Sequence, residues 1–358
     1  MILGKDHNIG PSQESYQVFS YEDFRGLMGL QSKHDRFIKV KNIGVKPDFI
    51  IAGAMKSGTT SVHKILNEHP GIFIPNRESV LFSVDDIDQN PVFFRHIKNK
   101  WTYQSFDDYF EDYVSWHNSL YDDAEEGQTL GQDAPRYLPS KKAIDRISKY
   151  IPGVKILILL RDPVDRVYSH YWHWVRTYRA IYSLEDSIQF RHGNLLQRSF
   201  YEDQIKYYFN RLSRDQIKIV LFERFINNRN NVIEEIIDFL NVDNVRGSLK
   251  TNKHSNKGKY PSYANFSLWR NFLCRNAYGR KYFNNIDWTP DIEELPYWQK
   301  AIIYLDNIIN PYQSKPSIDR SPETEQFLSA FLYDKNSDLD VLLDMDLGKY
   351  WPTFRSKN

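Results

Sequence analysis

An α/β fold, with a parallel sheet flanked by helices on both faces, follows from three features of the sequence. Short apolar runs alternate with helix-like segments along most of the chain. The run Ile156–Leu160 is continuously apolar, the mark of a strand buried on both faces. The run Phe49–Gly53 ends on a glycine loop that opens directly into a helix-like segment.

Taken in order, residues 1–46 are polar and weakly patterned, with a short helix expected around 21–29, and form an N-terminal extension that packs on the core. From Pro47 the pattern turns α/β. Phe49–Gly53 predicts a strand and Thr59–Asn67 a helix, which ends before His69-Pro70 because proline disfavours helix in the preceding residue. Gly71–Ile74 is strand-like, and the aromatic spacing predicts an amphipathic helix near Phe106–Tyr113. Ser140–Tyr150 predicts a helix, Val154–Leu160 a strand, and Pro163 opens the next helix. Further on come a helix over Phe200–Leu212, a strand over Ile217–Phe222 and a helix over Asn231–Leu240. Residues 251–265 and 314–322 are loops, and a helical tail runs from Glu323 to Trp351. No strong boundary divides residues 47–358, so one domain is expected, with a core over about 47–260 and a helical part over 261–358.

Composition excludes several classes. The chain has 358 residues and a formal net charge of +1, which gives no global attraction to nucleic acid or an anionic membrane. Any anion site must be local. A single cysteine, Cys274, fits a reducing compartment and rules out an internal disulfide framework. Residues 1–13 are not a secretory signal, and the apolar runs are too short to span a bilayer. A soluble cytoplasmic protein is the expectation. No His/Cys/Asp cluster has metal-ligand spacing, so no metal is expected.

The most informative stretch is Phe49-Ile50-Ile51-Ala52-Gly53-Ala54-Met55-Lys56-Ser57-Gly58-Thr59-Thr60. Strand, glycine loop and helix N-terminus build a phosphate cradle from backbone N–H groups. Gly53 and Gly58 have the separation of a nucleotide-binding P-loop, but Thr59 stands where that loop carries its lysine, and the lysine has moved to Lys56. There it would meet a single phosphate and its leaving group.

A second anion site is expected at Ile156-Leu157-Ile158-Leu159-Leu160-Arg161-Asp162-Pro163-Val164-Asp165-Arg166-Val167-Tyr168-Ser169. The strand ends on Arg161, where ligands of open α/β sheets bind. Asp162 suits a helix N-cap and Pro163 the first helical position. Ser169 lies two turns further along.

The first string resembles the P-K-[ST]-G-[ST]-[ST] loop of sulfotransferases that use 3′-phosphoadenosine 5′-phosphosulfate (PAPS), with Met55 in place of the proline. The second resembles the same family's R-x-P-x-x-R-x-x-S site for the 3′-phosphate. The resemblance spans about residues 47–260 and implies the P-loop-like sulfotransferase fold. It implies that Lys56, Ser57, Gly58, Thr59 and Thr60 hold the 5′-phosphosulfate, and that Arg161 and Ser169 hold the 3′-phosphate. Ser199-Phe200-Tyr201-Glu202 resembles the segment whose tyrosine contacts the adenine region, and Asn256-Lys257-Gly258-Lys259 the loop that closes over the 3′-phosphate. Gly131-Gln132-Asp133-Ala134-Pro135-Arg136-Tyr137-Leu138 resembles the acceptor-lining "G-E-x-[ST]-P-x-Y" segment, which implies acceptor contacts at Pro135 and Tyr137. Leu221-Phe222-Glu223-Arg224-Phe225 resembles a strand end whose acid is structural.

Pro75-Asn76-Arg77-Glu78-Ser79-Val80-Leu81-Phe82 resembles the "P-x-x-K-E-x-x-F-F" segment of the glycan and bacterial branches, whose glutamate is the catalytic base. Glu78 is then the base, and Arg77 touches the sulfuryl oxygens. A histidine base, from His63, His170 or His173, is the rival assignment. The activity implied is sulfuryl transfer from PAPS to a hydroxyl or amine of a small soluble acceptor, a natural product, metabolite or glycan head group. Adenosine 3′,5′-bisphosphate is the implied product. The alternatives are a P-loop-type kinase using ATP and Mg²⁺ and a non-catalytic nucleotide-binding protein. Residues 101–121 and the acidic Asp122-Asp123-Ala124-Glu125-Glu126 offer an acceptor lid, which would favour a neutral or cationic acceptor; a solvated loop is the competing reading.

Overall fold

The computed structural model describes residues 42–90, 94–97, 99–103, 105–243, 258–277, 296–316 and 320–357. The expectations for residues 1–41 and for Lys257 lie outside the described residues. In chain order the first elements are β1 (Phe49–Gly53), α1 (Thr59–Leu66), β2 (Ile72–Phe73), β3 (Phe94–Ile97), β4 (Lys100–Tyr103) and α2 (Phe110–Ser119). Then come β5 (Thr129–Asp133), α3 (Lys141–Tyr150), β6 (Lys155–Leu160), α4 (Pro163–Arg176), α5 (Leu184–Gln197) and α6 (Tyr201–Phe209). The remainder is β7 (Ile217–Leu221), α7 (Phe222–Asn227), α8 (Arg229–Leu240), β8 (Tyr260–Pro261), α9 (Ala264–Ala277), α10 (Tyr297–Ile309), β9 (Tyr312–Gln313), α11 (Pro322–Asp334) and α12 (Leu339–Leu343).

Five strands form a parallel sheet in the order β2-β5-β1-β6-β7. The two-residue side-chain period of a strand sorts the sheet into two cores. Ile50, Ala52, Ile156, Ile158 and Leu160 face one core, with Ile144, Ile147, Ile205 and Tyr208 of α3 and α6. Phe49, Ile51, Leu157 and Leu159 face the other, with Val62, Ile65, Val232 and Ile236 of α1 and α8. A third core joins α4, α5 and α11 through Val167, Leu195 and Leu332. The fold expected from the sequence is therefore the fold observed.

Three local expectations change. The helix expected near Phe106–Tyr113 starts at Phe110. Ser105 Oγ donates to Asp108 Oδ2 at 2.8 Å and accepts from Asp108 N–H at 3.1 Å, a turn that competes with helix. Phe106, Phe110, Tyr113 and Trp116 are core residues. The acidic run Asp122–Glu126 precedes β5. Loops before a parallel strand lie at the opposite end of the sheet from loops that follow one, so this run is no acceptor lid. Lastly, the 251–265 loop contains β8, which pairs antiparallel with β9, and α9 begins at Ala264.

The helical tail closes the sheet beside its working end. Trp351 is fully buried and its indole N–H donates to Glu223 Oε2 at 2.8 Å. Glu223 Oε1 accepts from the Asp162 N–H at 3.0 Å, where β6 turns into α4. Replacing Trp351 by alanine removes a fully buried aromatic and should lower unfolding free energy by about 3–5 kcal/mol in a chemical denaturation experiment.

Candidate active site

The loop after β1 is shaped by backbone conformation. Ala54 N–H donates to Leu159 O at 2.6 Å, which ties the loop to β6. Lys56 (φ 71°) and Gly58 (φ 90°) both adopt the left-handed region. At Gly58 any side chain would be strained, and a Cβ would lie 2.8 Å from the Phe222 ring, so the position requires glycine. α1 starts at Thr59 with Gly58 as N-cap and no side-chain cap. Its N-terminus is thus presented to the loop's concave side, where an anion is favoured.

Glu78 lies against this loop. Ser79 N–H donates to Asp133 O at 3.0 Å, which fixes the segment to the end of β5. Burial raises the Glu78 carboxyl above the usual range, and Asp133 adds to the rise; Arg136, Lys56 and Arg198 oppose it. Burial likewise lowers Lys56, to about 7, helped by Arg176, Arg179 and Arg198, while Glu78 opposes the fall. The loop lysine and the candidate base therefore feel each other's charge. Arg77 is half-buried and is not among the charges that act most strongly on Glu78.

Arg136, Arg176, Arg179 and Arg198 were not assigned roles from the sequence, yet they surround the Lys56–Glu78 pair. Arg136 and Arg198 are 3% and 2% exposed. Arg198 touches Met55 Sδ through Nη1. Arg176 donates to Lys259 O at 2.8 Å. Each of the four is held below its ordinary basicity by burial, with neighbouring guanidiniums adding to the effect for Arg179 and Arg198. The available sequence signal was the pair Arg176, the last residue of α4, and Arg179, three residues on.

The histidines are accounted for by packing. His63 is 1% exposed and its Nδ1 sits 3.1 Å from Asp133 Oδ2. His170 contacts Arg166 Nη1 at 3.3 Å and packs edge-on against Trp174. Burial first, then neighbouring cations, holds His170 and His173 well below the ordinary imidazole range.

Arg161 and Ser169 come together as the sequence suggested. Both line one cavity with Trp172, Tyr260, Leu268 and Arg320. Arg161 also pairs with Asp165 at 3.7 Å and lies over the Phe222 ring. Asp162 caps α4 by accepting from Val164 N–H at 3.0 Å and Asp165 N–H at 3.2 Å. Arg166 is fully buried and donates to Ser199 Oγ at 2.5 Å. Tyr201 is also fully buried, and its hydroxyl donates to Arg161 O at 3.0 Å, so it stands behind the strand end. Gly258 packs on the Tyr260 ring, and Lys259 approaches the site through its carbonyl.

Tyr137 departs from the expected acceptor contact. It is fully buried, and its hydroxyl accepts from Phe82 N–H and from Gln132 Nε2, both at 3.2 Å. Those bonds hold the Glu78 segment to β5 from behind. Pro135 beside it is also buried. Among the described residues no group of three or more His, Cys, Asp and Glu could hold a metal ion, and no helix is long and apolar enough to cross a membrane.

The lowered Lys56 makes anion binding pH-dependent. Below about 7 the free protein carries the Lys56 proton; above it the proton is lost. A bound anion restores the charge, so affinity for inorganic sulfate, whose own charge is constant in this window, should fall as pH rises through 7. Calorimetric titrations across that range should show the step, and Lys56→Met should flatten it.

The sulfotransferase family model matches residues 47–245 of this chain. The membrane-associated sulfotransferase kil1 of Dictyostelium discoideum is 29% identical over 128 residues, which is 35% of this chain and 22% of that protein. Mouse heparan sulfate glucosamine 3-O-sulfotransferase 3B1 is 25% identical over 254 residues, 68% of this chain and 57% of that protein. The chain thus spans between about a fifth and just over half of the length of these relatives. The crystal structure of a sulfotransferase from Alicyclobacillus acidocaldarius superposes with a TM-score of 0.54 at 24% identity, covering 86% of this chain and 99% of that one, and so shares its fold. With more than half of its length matched by the family model, the chain belongs to the sulfotransferase family.

Proposed function

We propose that this protein transfers a sulfuryl group from PAPS to a hydroxyl or amine of a small acceptor, with Glu78 as general base. The observation that carries this reading is the pairing of two separate cationic sites at the carboxyl ends of β1 and β6. One is built on Lys56, the other on Arg161 and Ser169. A nucleotide with phosphates at both its 5′ and 3′ positions suits two sites, whereas a linear triphosphate suits one.

The residues present fit such a donor. Arg161 Nε is buried and has no partner within the protein. Its guanidinium and the Ser169 hydroxyl would hold the 3′-phosphate, with Gly258 and Lys259 nearby and Tyr201 fixing the strand end. Lys56, Ser57, Gly58, Thr59 and Thr60 would hold the 5′-phosphosulfate. PAPS supplies an activated sulfuryl group when bound.

The chain's own part is then proton transfer and charge stabilisation. Burial raises the Glu78 carboxyl above its ordinary range, which makes its carboxylate a stronger proton acceptor. Lys56, recharged by the arriving anion, would meet the negative charge that builds on the departing phosphate. Because it sits in a buried site, that interaction is stronger than it would be in water.

A kinase would need a carboxylate free to hold Mg²⁺ at the end of β6. Asp162 is the residue there, and its oxygens are already taken. Oδ1 accepts from Val164, Asp165 and Thr353 Oγ1, and Oδ2 accepts from Thr353 N–H. The acceptor, a natural product, metabolite or glycan head group, and a cytoplasmic setting belong to the same proposal.

Glu78→Gln should abolish turnover with PAPS while nucleotide affinity stays nearly unchanged; normal turnover would remove Glu78 from its role. Lys56→Ala should lower kcat by roughly 10²–10³, with a smaller change in KM, in single-turnover and steady-state assays.

A further inference from the structure

We propose that Asn336, on the tail, is a positioning residue for recognition of the 3′-phosphate, acting through the N-terminus of α6. This rests on the proposed use of PAPS and adds a residue beyond the stretch 47–245 that the family model matches. α6 begins at Tyr201, and its N-cap residue, Phe200, has no side chain able to accept a hydrogen bond. The first N–H groups of the helix are nonetheless enclosed, since Tyr201 is 0% and Glu202 8% exposed. Enclosed N–H groups need acceptors. Asn336 supplies one from the turn that follows α11, 135 residues along the chain from Tyr201. Its Oδ1 accepts from Tyr201 N–H at 2.8 Å and from Glu202 N–H at 3.2 Å. Its Nδ2 donates to Ser199 O at 2.9 Å and to Leu332 O at 2.7 Å. Asn336 is itself 0% exposed, and two bonds accepted with two donated suit a side-chain amide. Glu202 Oε2 completes the seam by accepting from Asp338 N–H at 2.8 Å.

The segment held in this way is the one that grips the end of β6. The Tyr201 hydroxyl donates to Arg161 O at 3.0 Å, and Ser199 Oγ donates to Pro163 O at 3.1 Å. Those two carbonyls stand on either side of Asp162, where β6 turns into α4. Arg161 takes its direction from that turn, and Ser169 from the helix that the turn opens. One amide thus fixes three backbone groups of residues 199–202, and that segment fixes two of the β6–α4 turn. Asn336 does not line the cavity that holds Arg161 and Ser169. Its effect reaches the ligand through the placing of Arg161 relative to the Lys56 loop. It is therefore read as selectivity between nucleotides with and without a 3′-phosphate.

The test uses the whole protein with adenosine 3′,5′-bisphosphate and adenosine 5′-monophosphate. Affinities come from calorimetry, and thermal midpoints are recorded alongside. Asn336→Ala should lower the ratio of the two affinities by about tenfold, with the loss falling on the bisphosphate. Ile236→Ala on α8, buried in the core on the other face of the sheet, is the control. It should lower the thermal midpoint and leave the ratio unchanged. A wild-type ratio in Asn336→Ala overturns the assignment, and so does an equal loss of ratio in Ile236→Ala. If Asn336→Ala does not fold, Ser199→Ala cuts the same chain of bonds one link on, and an unchanged ratio there overturns the assignment. A wild type that binds both nucleotides equally sinks the two-phosphate reading itself, whereas a wild-type preference that every variant retains sinks only the role of Asn336.

Discussion

Positive charge buried at the carboxyl ends of β1 and β6 is the constraint around which the rest of this structure is arranged. Taking a guanidinium or ammonium out of water costs several kcal/mol unless a counter-charge meets it. Here Lys56, Arg136, Arg179 and Arg198 all feel the Glu78 carboxylate. A fold that keeps so many cations close must hold them against their mutual repulsion. The sheet does this by fixing each one to a different rigid element. Lys56 is set by the left-handed turn after β1, the Glu78 segment by the Ser79 N–H bond to Asp133 O of β5, and Arg161 by the end of β6. The charge is then available to whatever anion enters.

The supporting shell explains several residues that carry no chemistry themselves. Asp162, Glu223, Thr353 and Trp351 form one hydrogen-bonded network that pins the β6–α4 junction to the C-terminal tail. Arg166 does similar work deeper in the fold, through Ser199 and Leu195 O. Tyr137 and Tyr201 place their hydroxyls on backbone groups next to Glu78 and Arg161, respectively. Each resembles a ligand contact in sequence and is hydrogen-bonded within the protein in space.

Much of the fold was legible because burial leaves a pattern. β1 and β6 are continuous apolar runs, and Asp162-Pro163 announces the start of α4. β5 was not legible: its inner residues are Gly131, Gln132 and Asp133, and none signals a central strand. Gly131 is there because a side chain would meet the Phe49 ring, a reason that only the packed sheet reveals. The two candidate anion sites stand out in the sequence because each is a contiguous string. The arginine cluster could not, since Arg136, Arg179 and Arg198 come from distant segments and resemble solvated surface residues when taken singly. The acidic run Asp122–Glu126 could be read as a solvated loop or as a lid; sheet polarity sets it at the end of the sheet away from the β1 loop, which suits the solvated loop.

A preference for two phosphates without any metal is the property that separates this account from every alternative. The direct measurement is calorimetric affinity for adenosine 3′,5′-bisphosphate and for adenosine 5′-monophosphate in chelator-treated buffer, in wild type and Arg161→Ala. A charged hydrogen-bonded contact to the 3′-phosphate should favour the bisphosphate by roughly 10- to 100-fold in the wild type, and Arg161→Ala should erase most of that ratio. Equal affinity for the two nucleotides, or tight binding only of ATP with Mg²⁺, would contradict the account.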